Sequence, residues 1–223
     1  MQSGATVPAP RRLEVVSTVE ALEEDLERRL LEGELAPGEH LREVELAAQY
    51  GVGRHTLRAA LDRLVRRGLL ESRRNCGVFV PERTAADLAD LYELRVALEV
   101  QAFRALTARR HVPPAAAEAV ARLRELEAGS PRRLVVDADM AFHRAVLAGT
   151  GNARLARAHA DLESEIRLCL GQLVNGYASP ARLAREHAGL VRAIRRGDAD
   201  AAEASVRAHL ERAAAWLTRS ATT

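Results

Sequence analysis

The chain has 223 residues, a formal net charge of +2, 3% aromatic residues and two cysteines. Its length allows one large domain or two ordinary ones, and a near-neutral total charge is by itself no evidence about nucleic acid. Cys76 and Cys169 lack paired spacing, which excludes a disulfide framework. No apolar run approaches the roughly 20 residues of a membrane span, and residues 1–12 lack the apolar core of a signal peptide. We therefore expect a cytoplasmic protein with no membrane segment.

The composition predicts a mostly α-helical protein. Aromatic residues are scarce, so leucine, valine and alanine must build the core, and alanine and leucine are strong helix formers. The polar, proline-containing residues 1–12 are predicted to form a disordered tail. The first predicted helix runs from Thr18 to Glu32, because its leucines lie on one face and its acidic residues on the other. Gly33 ends it.

Two short helices and a pair of strands are predicted next. The helices span about Glu43–Tyr50 and Arg54–Arg67, around the tight turn Gly51-Val52-Gly53. Two extended segments, Leu69–Ser72 and Val78–Val80, follow with the length and turn content of a β-hairpin. Two helices around a glycine-containing turn, then a hairpin, are the layout of a winged helix-turn-helix DNA-binding domain.

Basic residues concentrate in this part of the chain. Between Gly51 and Cys76 there are seven arginines and two acids, a cationic region of the kind that DNA phosphates attract. Arg54 and Arg58 share one face of the predicted helix that begins at Arg54, away from Leu57. Both can contact guanine edges or phosphates. The alternative is that the helix and hairpin form ordinary protein surface. The candidate DNA-contacting residues are Arg42, Arg54, His55, Thr56, Arg58, Arg73, Arg74 and Gly77.

The remainder of the chain contains no predicted strand. Helices are predicted at about 85–110, 114–128, 131–149, 152–174, 180–196 and 198–218. Short loops between long amphipathic helices predict an antiparallel helical bundle. We place the boundary between the two domains near Pro81–Thr84.

One aspartate and three histidines in this half form a candidate metal site. Asp139 and His143 are four residues apart and therefore share a helical face. His187 lies 10 residues before Gly197 and His209 lies 12 residues after it, so both are about 15–18 Å from that turn and at similar heights in an antiparallel pair. Three neutral imidazoles and a carboxylate suit zinc, or else nickel or manganese. Any one of these histidines alone would more often be structural. The remaining histidines show no such spacing: His40, His55, His111 and His159.

The N-terminal part resembles the GntR family of bacterial regulators over about residues 13–83. The matching motifs are Gly33…Pro37-Gly38, Glu45-Leu46-Ala47, Arg54-His55-Thr56-Leu57-Arg58, Leu61-x-x-Leu64…Gly68-Leu69-Leu70 and Gly77-x-Phe79-Val80. Cys76 departs from the family, since relatives often carry arginine there. That departure puts the usual minor-groove contact of the wing in doubt, although Arg73 and Arg74 lie nearby.

The C-terminal part, about residues 85–218, resembles the FCD ligand-binding domain of the FadR branch of that family. The matching motifs are Glu93-Leu94-Arg95-x-x-Leu98-Glu99, Asp139-x-x-Phe142-His143, Gly151-Asn152-x-x-Leu155, His187-x-x-Leu190-x-x-Ala193-Ile194-x-x-Gly197-Asp198 and Arg207-x-His209-Leu210. The resemblance implies that the aspartate and three histidines hold a metal, and that Arg95 binds the carboxylate of an effector. The alternative for Arg95 is a salt bridge to Glu99.

The expected function is that of a DNA-binding transcription regulator, with a repressor favoured. We expect a winged helix-turn-helix domain at 13–83 and an all-helical domain for effector and metal at 84–223. A homodimer would bind a palindromic operator, because one recognition helix contacts only a few base pairs, and a small organic acid would control that binding. The alternatives are a metalloenzyme that uses the Asp/His₃ site and a purely structural metal.

Overall fold

The computed structural model of the chain describes residues 17–172 and 179–221. The predicted disordered tail, residues 1–12, and the predicted end of the helix at 152–174 lie outside these residues. Within them the helices are α1 (Thr18–Leu31), α2 (Glu43–Tyr50), α3 (Arg54–Arg66), α4 (Ala85–Ala108), α5 (Pro114–Glu125), α6 (Arg132–Gly149), α7 (Ala153–Gln172), α8 (Pro180–Arg196) and α9 (Ala199–Ala221). The strands are β1 (His40–Leu41), β2 (Glu71–Arg73) and β3 (Gly77–Phe79). The predicted mostly helical fold is confirmed.

The N-terminal helices pack around a leucine core. A capping box between Ser17 and Glu20 starts α1. Gly51 adopts a left-handed conformation with φ of +64° and turns the chain from α2 into α3. The apolar faces of the three helices meet in one buried cluster that includes Leu26, Leu30, Leu46, Leu57, Leu61 and Leu64.

The wing is a three-stranded antiparallel sheet rather than the two-stranded hairpin predicted from sequence. The strand order is β1-β3-β2, with His40 opposite Phe79 in the added pair. β1 has only two residues, so it shows no alternation of apolar and polar side chains. The predicted strand Leu69–Ser72 was also placed too early, because Leu69 and Leu70 are buried in the domain core before β2 begins.

The C-terminal helices form a bundle in which α4 packs against α6, α7, α8 and α9. A capping box between Thr84 and Asp87 starts α4, and Gly197, with φ of +77°, joins α8 to α9. α5 ends at Glu125, earlier than predicted. No helix among the described residues has both the length and the apolar character that crossing a bilayer requires.

Helix α7 connects the bundle to the N-terminal domain. Leu168 of α7 is part of the buried N-terminal core. At Gly171 the helices approach so closely that a Cβ atom would lie 2.8 Å from the backbone of Leu31 in α1. The Arg132 side chain donates a hydrogen bond to the Gly171 carbonyl at 2.6 Å. A displacement of α7 would therefore displace residues of the N-terminal domain that pack against it.

We expect Gly171→Ala to destabilise the protein. In an ordinary helix this change stabilises by about 1 kcal/mol, but here the added methyl group meets backbone, and overpacking costs about 1–3 kcal/mol. Gly189→Ala in α8 is the control, because its Cβ would meet only the Arg192 side chain, at 3.6 Å. Thermal unfolding should show a lower Tm for Gly171→Ala and an unchanged or higher Tm for Gly189→Ala. Equal shifts for both variants would contradict the close approach.

Candidate metal centre and DNA interface

Three helices bring the aspartate and the three histidines together inside the bundle. α6 supplies Asp139 and His143 from successive turns, α8 supplies His187, and α9 supplies His209. One nitrogen or oxygen of each residue lies within 4.8 Å of those of the other three. All four residues are buried, with at most 4% of their surface exposed.

Each imidazole of this cluster donates its Nδ1–H to a protein oxygen. The acceptors are Glu99 Oε2 for His143 at 2.5 Å, Leu183 O for His187 at 2.8 Å and Glu186 Oε2 for His209 at 3.0 Å. Carboxylates and carbonyls only accept, so the Nδ1 atoms carry the protons. Burial lowers the pKa of His143 to about 4 and lowers that of His209 as well, which keeps both rings neutral near pH 7.

A neutral imidazole has one N–H, so the Nε2 atoms present lone pairs to the centre of the cluster. The Nε2 atoms of His143 and His187 are 3.3 Å apart. Asp139 Oδ1 lies 3.2 Å from His187 Nε2 and has no hydrogen-bond partner among the described residues. A buried group of acceptors with no proton between them is unfavourable unless a cation binds there. The residues therefore fit a divalent metal ion, with their orientation set by the carboxylates and carbonyl behind them.

Arg95 of α4 is fully buried, with 1% of its surface exposed. Its Nε donates to Glu99 Oε1 at 2.8 Å, and its Nη1 donates to the hydroxyl of Tyr92 at 3.2 Å. Burial alone would lower the pKa of Arg95, but the nearby Glu99 carboxylate raises it overall, so the guanidinium remains charged. The salt bridge considered from sequence is present. Even so, Nη2 of Arg95 has no hydrogen-bond partner in the described part of the chain, which leaves a buried donor for a ligand.

Sequence analysis did not place Glu99 or His159 beside the metal cluster. Glu99 is 0% exposed and contacts both Arg95 and His143. Burial alone would raise the pKa of Glu99, but His143 and Arg95 outweigh it and hold the pKa well below its ordinary value. His159 of α7 is 1% exposed, and its Nε2 lies 3.6 Å from Glu99 Oε1. The four-residue spacing of Arg95 and Glu99 indicated only the salt bridge between them, and no spacing in the sequence related His159 to the metal cluster.

The start of α3 presents polar side chains to solvent. Arg54 and His55 are exposed, Thr56 is half-buried, and Leu57 is buried in the core. No carboxylate in the described residues forms an ion pair with Arg54. Arg58 is exposed as well, but it pairs with Glu43 of α2, with Nη2 and Oε2 2.6 Å apart. The N-terminal end of α3, the α3 tip, therefore exposes the positive charge of Arg54 without a carboxylate partner among the described residues.

The other candidate DNA contacts lie on the wing and at the start of α2. Arg73 pairs with Glu71 and lies 4.3 Å over the Phe79 ring, and Arg74 is exposed. Gly77 has φ of +102°, and a Cβ atom there would lie 2.6 Å from His40 Nε2, so the position requires glycine. At the start of α2, Arg42 pairs with Glu45 at 3.1 Å.

Comparisons with known proteins agree with this architecture. The gntR family of bacterial regulatory proteins matches residues 18–80, and the FCD domain matches residues 90–212. A "Probable D-xylose utilization operon transcriptional repressor" of Paenarthrobacter nicotinovorans is 30% identical over 90% of this chain and 88% of its own length. A Streptomyces ambofaciens protein, "Uncharacterized HTH-type transcriptional regulator in unstable DNA locus", is 34% identical over 83% of this chain and 78% of its own.

Among solved structures, E. coli McbR/YncC superposes with a TM-score of 0.68 over 92% of this chain and 99% of its own, at 24% identity, which shows a shared fold. The matched families and relatives are transcription regulators, which confirms the expected class of function over the alternative of a metalloenzyme. The chain belongs to the GntR family of DNA-binding transcription regulators and carries an FCD domain.

Proposed function

We propose that this regulator is a homodimeric repressor whose operator binding is controlled by a metal ion and a small carboxylate in its C-terminal domain. The observation that carries the proposal is the buried set of acceptors together with Nη2 of Arg95, a buried donor with no hydrogen-bond partner among the described residues. Acceptors favour a cation, and such a guanidinium donor favours an anion. One ligand pair, a divalent metal and a carboxylate, satisfies both.

The metal would be held by Asp139 and by the Nε2 atoms of His143, His187 and His209. Neutral imidazoles and a carboxylate favour zinc, with nickel and manganese as alternatives. Four protein ligands leave one or two positions free in a five- or six-coordinate site. The bound ion would supply a positive charge and an open position for an effector oxygen.

The effector would be a small organic acid whose carboxylate is shared between the metal and Arg95. A buried anion needs such compensation to leave water, and an arginine can provide directed hydrogen bonds to a carboxylate. The name of the Paenarthrobacter relative refers to D-xylose utilization. Sugar acids, in which hydroxyl groups neighbour the carboxylate, therefore belong among the candidates.

DNA binding would use the exposed tip of α3 and the wing. Arg54, His55, Thr56 and Arg58 would enter the major groove, while Arg42, Arg73, Arg74 and the backbone at Gly77 would contact the flanking phosphates or the minor groove. Two copies would bind two half-sites of a palindromic operator. A regulator of chromosomal DNA would act in the cytoplasm.

Helix α7 provides a path from the effector to the DNA-binding domain. Its first half places His159 beside Glu99, and its second half places Leu168 and Gly171 against α1. An effector that binds one position of α7 better than another would shift the population of winged-domain arrangements.

The metal assignment predicts that His187→Ala loses the ion. Wild-type protein, purified without a histidine tag, should contain one divalent ion per chain by elemental mass spectrometry. At a free metal concentration of 100 times the Kd, binding stabilises the folded state by about 2.7 kcal/mol, so a chelator should lower the Tm of wild type and not that of His187→Ala. The exposed His111 supplies the control, His111→Ala. A wild-type chain without stoichiometric metal, or a His187→Ala chain that retains it, would contradict the assignment.

The effector assignment predicts that Arg95→Lys keeps the metal and binds carboxylates at least about tenfold more weakly. Lysine preserves the charge opposite Glu99 but lacks the planar fork that supplies Nη2. Calorimetric titration of zinc-loaded protein with acetate, short hydroxy acids and sugar acids measures the effect. Arg104→Lys, on the exposed side of α4, is the matched control. If zinc binds and no acid binds to wild type, the metal is structural only and the effector assignment fails.

The DNA assignment predicts that Arg54→Ala weakens binding to an operator recovered by selection from random duplexes. Loss of one base or phosphate contact costs about 1–3 kcal/mol and, for a phosphate contact, lowers the salt slope by about one. Anisotropy titrations at several salt concentrations measure both quantities. Arg122→Ala removes the same charge from an exposed site in α5. Equal affinities for Arg54→Ala and Arg122→Ala would remove the α3 tip from the interface.

A further inference from the structure

Glu99 contacts groups from three helices with its two oxygens. Oε2 accepts from His143 Nδ1 of α6 at 2.5 Å, and Oε1 accepts from Arg95 Nε of α4 at 2.8 Å. His159 Nε2 of α7 faces Oε1 at 3.6 Å and has no hydrogen-bond partner among the described residues. One buried carboxylate therefore touches both the proposed metal ligand and the proposed effector arginine.

The buried charges around Glu99 nearly balance. Arg95 is positive, Glu99 and Asp139 are negative, and His143 contributes a buried N–H donor to Glu99, so the three charged side chains sum to one negative charge. A divalent ion changes the sum to one positive charge, and a single carboxylate then brings it to zero. A carboxylate that entered without the metal would raise the buried negative charge to two, which is strongly unfavourable in a region of low dielectric.

We propose that Glu99 is a positioning residue that couples metal binding to carboxylate binding. The inference rests on the proposed function, because it requires that both ligands bind at this site. When His143 donates its Nε2 lone pair to a cation, its Nδ1–H becomes a stronger donor to Glu99 Oε2. Glu99 is then drawn toward His143 and neutralises Arg95 less completely. Arg95 in turn attracts a carboxylate more strongly.

Glu186 provides a comparison within the same cluster. It accepts from His209 Nδ1 at 3.0 Å, as Glu99 does from His143. Glu186 is partly exposed and its other partners are the surface residues Arg182 and Arg212. It makes no ion pair with Arg95. Glu186 can therefore support a metal ligand without affecting the effector arginine.

The test compares Glu99→Gln with Glu186→Gln, using zinc and acetate as the probes. Zinc affinity is measured by chelator competition, and acetate affinity by titration of the zinc-saturated chain. Glu99→Gln should bind zinc about 10–100-fold more weakly. It should bind acetate at least about fivefold more tightly, at the low end of allosteric couplings, because glutamine no longer neutralises Arg95. Glu186→Gln should bind zinc more weakly and acetate as wild type does.

Opposite changes in the two affinities distinguish coupling from a structural role, which would weaken both. The proposal is overturned if Glu99→Gln binds acetate as wild type does or more weakly, if Glu186→Gln behaves like Glu99→Gln, or if acetate has no effect on the zinc affinity of wild type. Failure of wild type to bind zinc at all would instead remove the proposed function itself.

If Glu99→Gln does not fold, Glu99→Asp decides the question. The shorter carboxylate keeps its charge but cannot reach both His143 and Arg95. The ratio of zinc dissociation constants without and with saturating acetate should be smaller in Glu99→Asp, where only the coupling through direct ligation remains, than in wild type, and should stay at the wild-type value in Glu186→Asp. A wild-type ratio in Glu99→Asp overturns the proposal.

Discussion

The hydrogen bonds behind the three histidines determine what the C-terminal domain can bind. Each Nδ1–H donates a hydrogen bond to a carboxylate or a carbonyl. Each Nε2 of these neutral rings must therefore present a lone pair to the centre of the cluster. The Nε2 atoms of His143 and His187 are only 3.3 Å apart, next to the carboxylate of Asp139. This arrangement of acceptors is costly in a buried region without a cation. The bundle is thus built around a position for a positive charge.

The same hydrogen bonds connect the proposed metal position with the rest of the molecule. Glu99 accepts hydrogen bonds from both His143 and Arg95, and it faces His159 in the first half of α7. α7 then extends to Leu168, which is buried in the core of the winged domain. One helix therefore connects the proposed ligand site with the DNA-binding domain, and in the proposed dimer a displacement of that helix would change how the winged domains are placed.

Periodicity and spacing predicted most of the fold and two pairs of candidate metal ligands, and the family resemblance implied that the two pairs form one site. Asp139 and His143 share a helical face, and the similar distances of His187 and His209 from Gly197 placed their side chains at one level. Contacts between distant helices could not be predicted in this way. Glu99 joins α4, α6 and α7, and Arg58 pairs with Glu43 across the helix-turn-helix. The two-residue strand β1 was missed because its pairing with β3 is purely tertiary.

Anomalous diffraction from crystals of the untagged protein, collected on either side of the metal's absorption edge, tests the central claim most directly. We expect one anomalous peak per chain, bounded by the Nε2 atoms of His143, His187 and His209 and by the carboxylate of Asp139. The Nδ1 atoms should keep their hydrogen bonds to Glu99, Leu183 and Glu186. A peak at another site, ligation through Nδ1, or no peak in crystals grown with excess zinc would contradict the claim that this cluster is a metal centre.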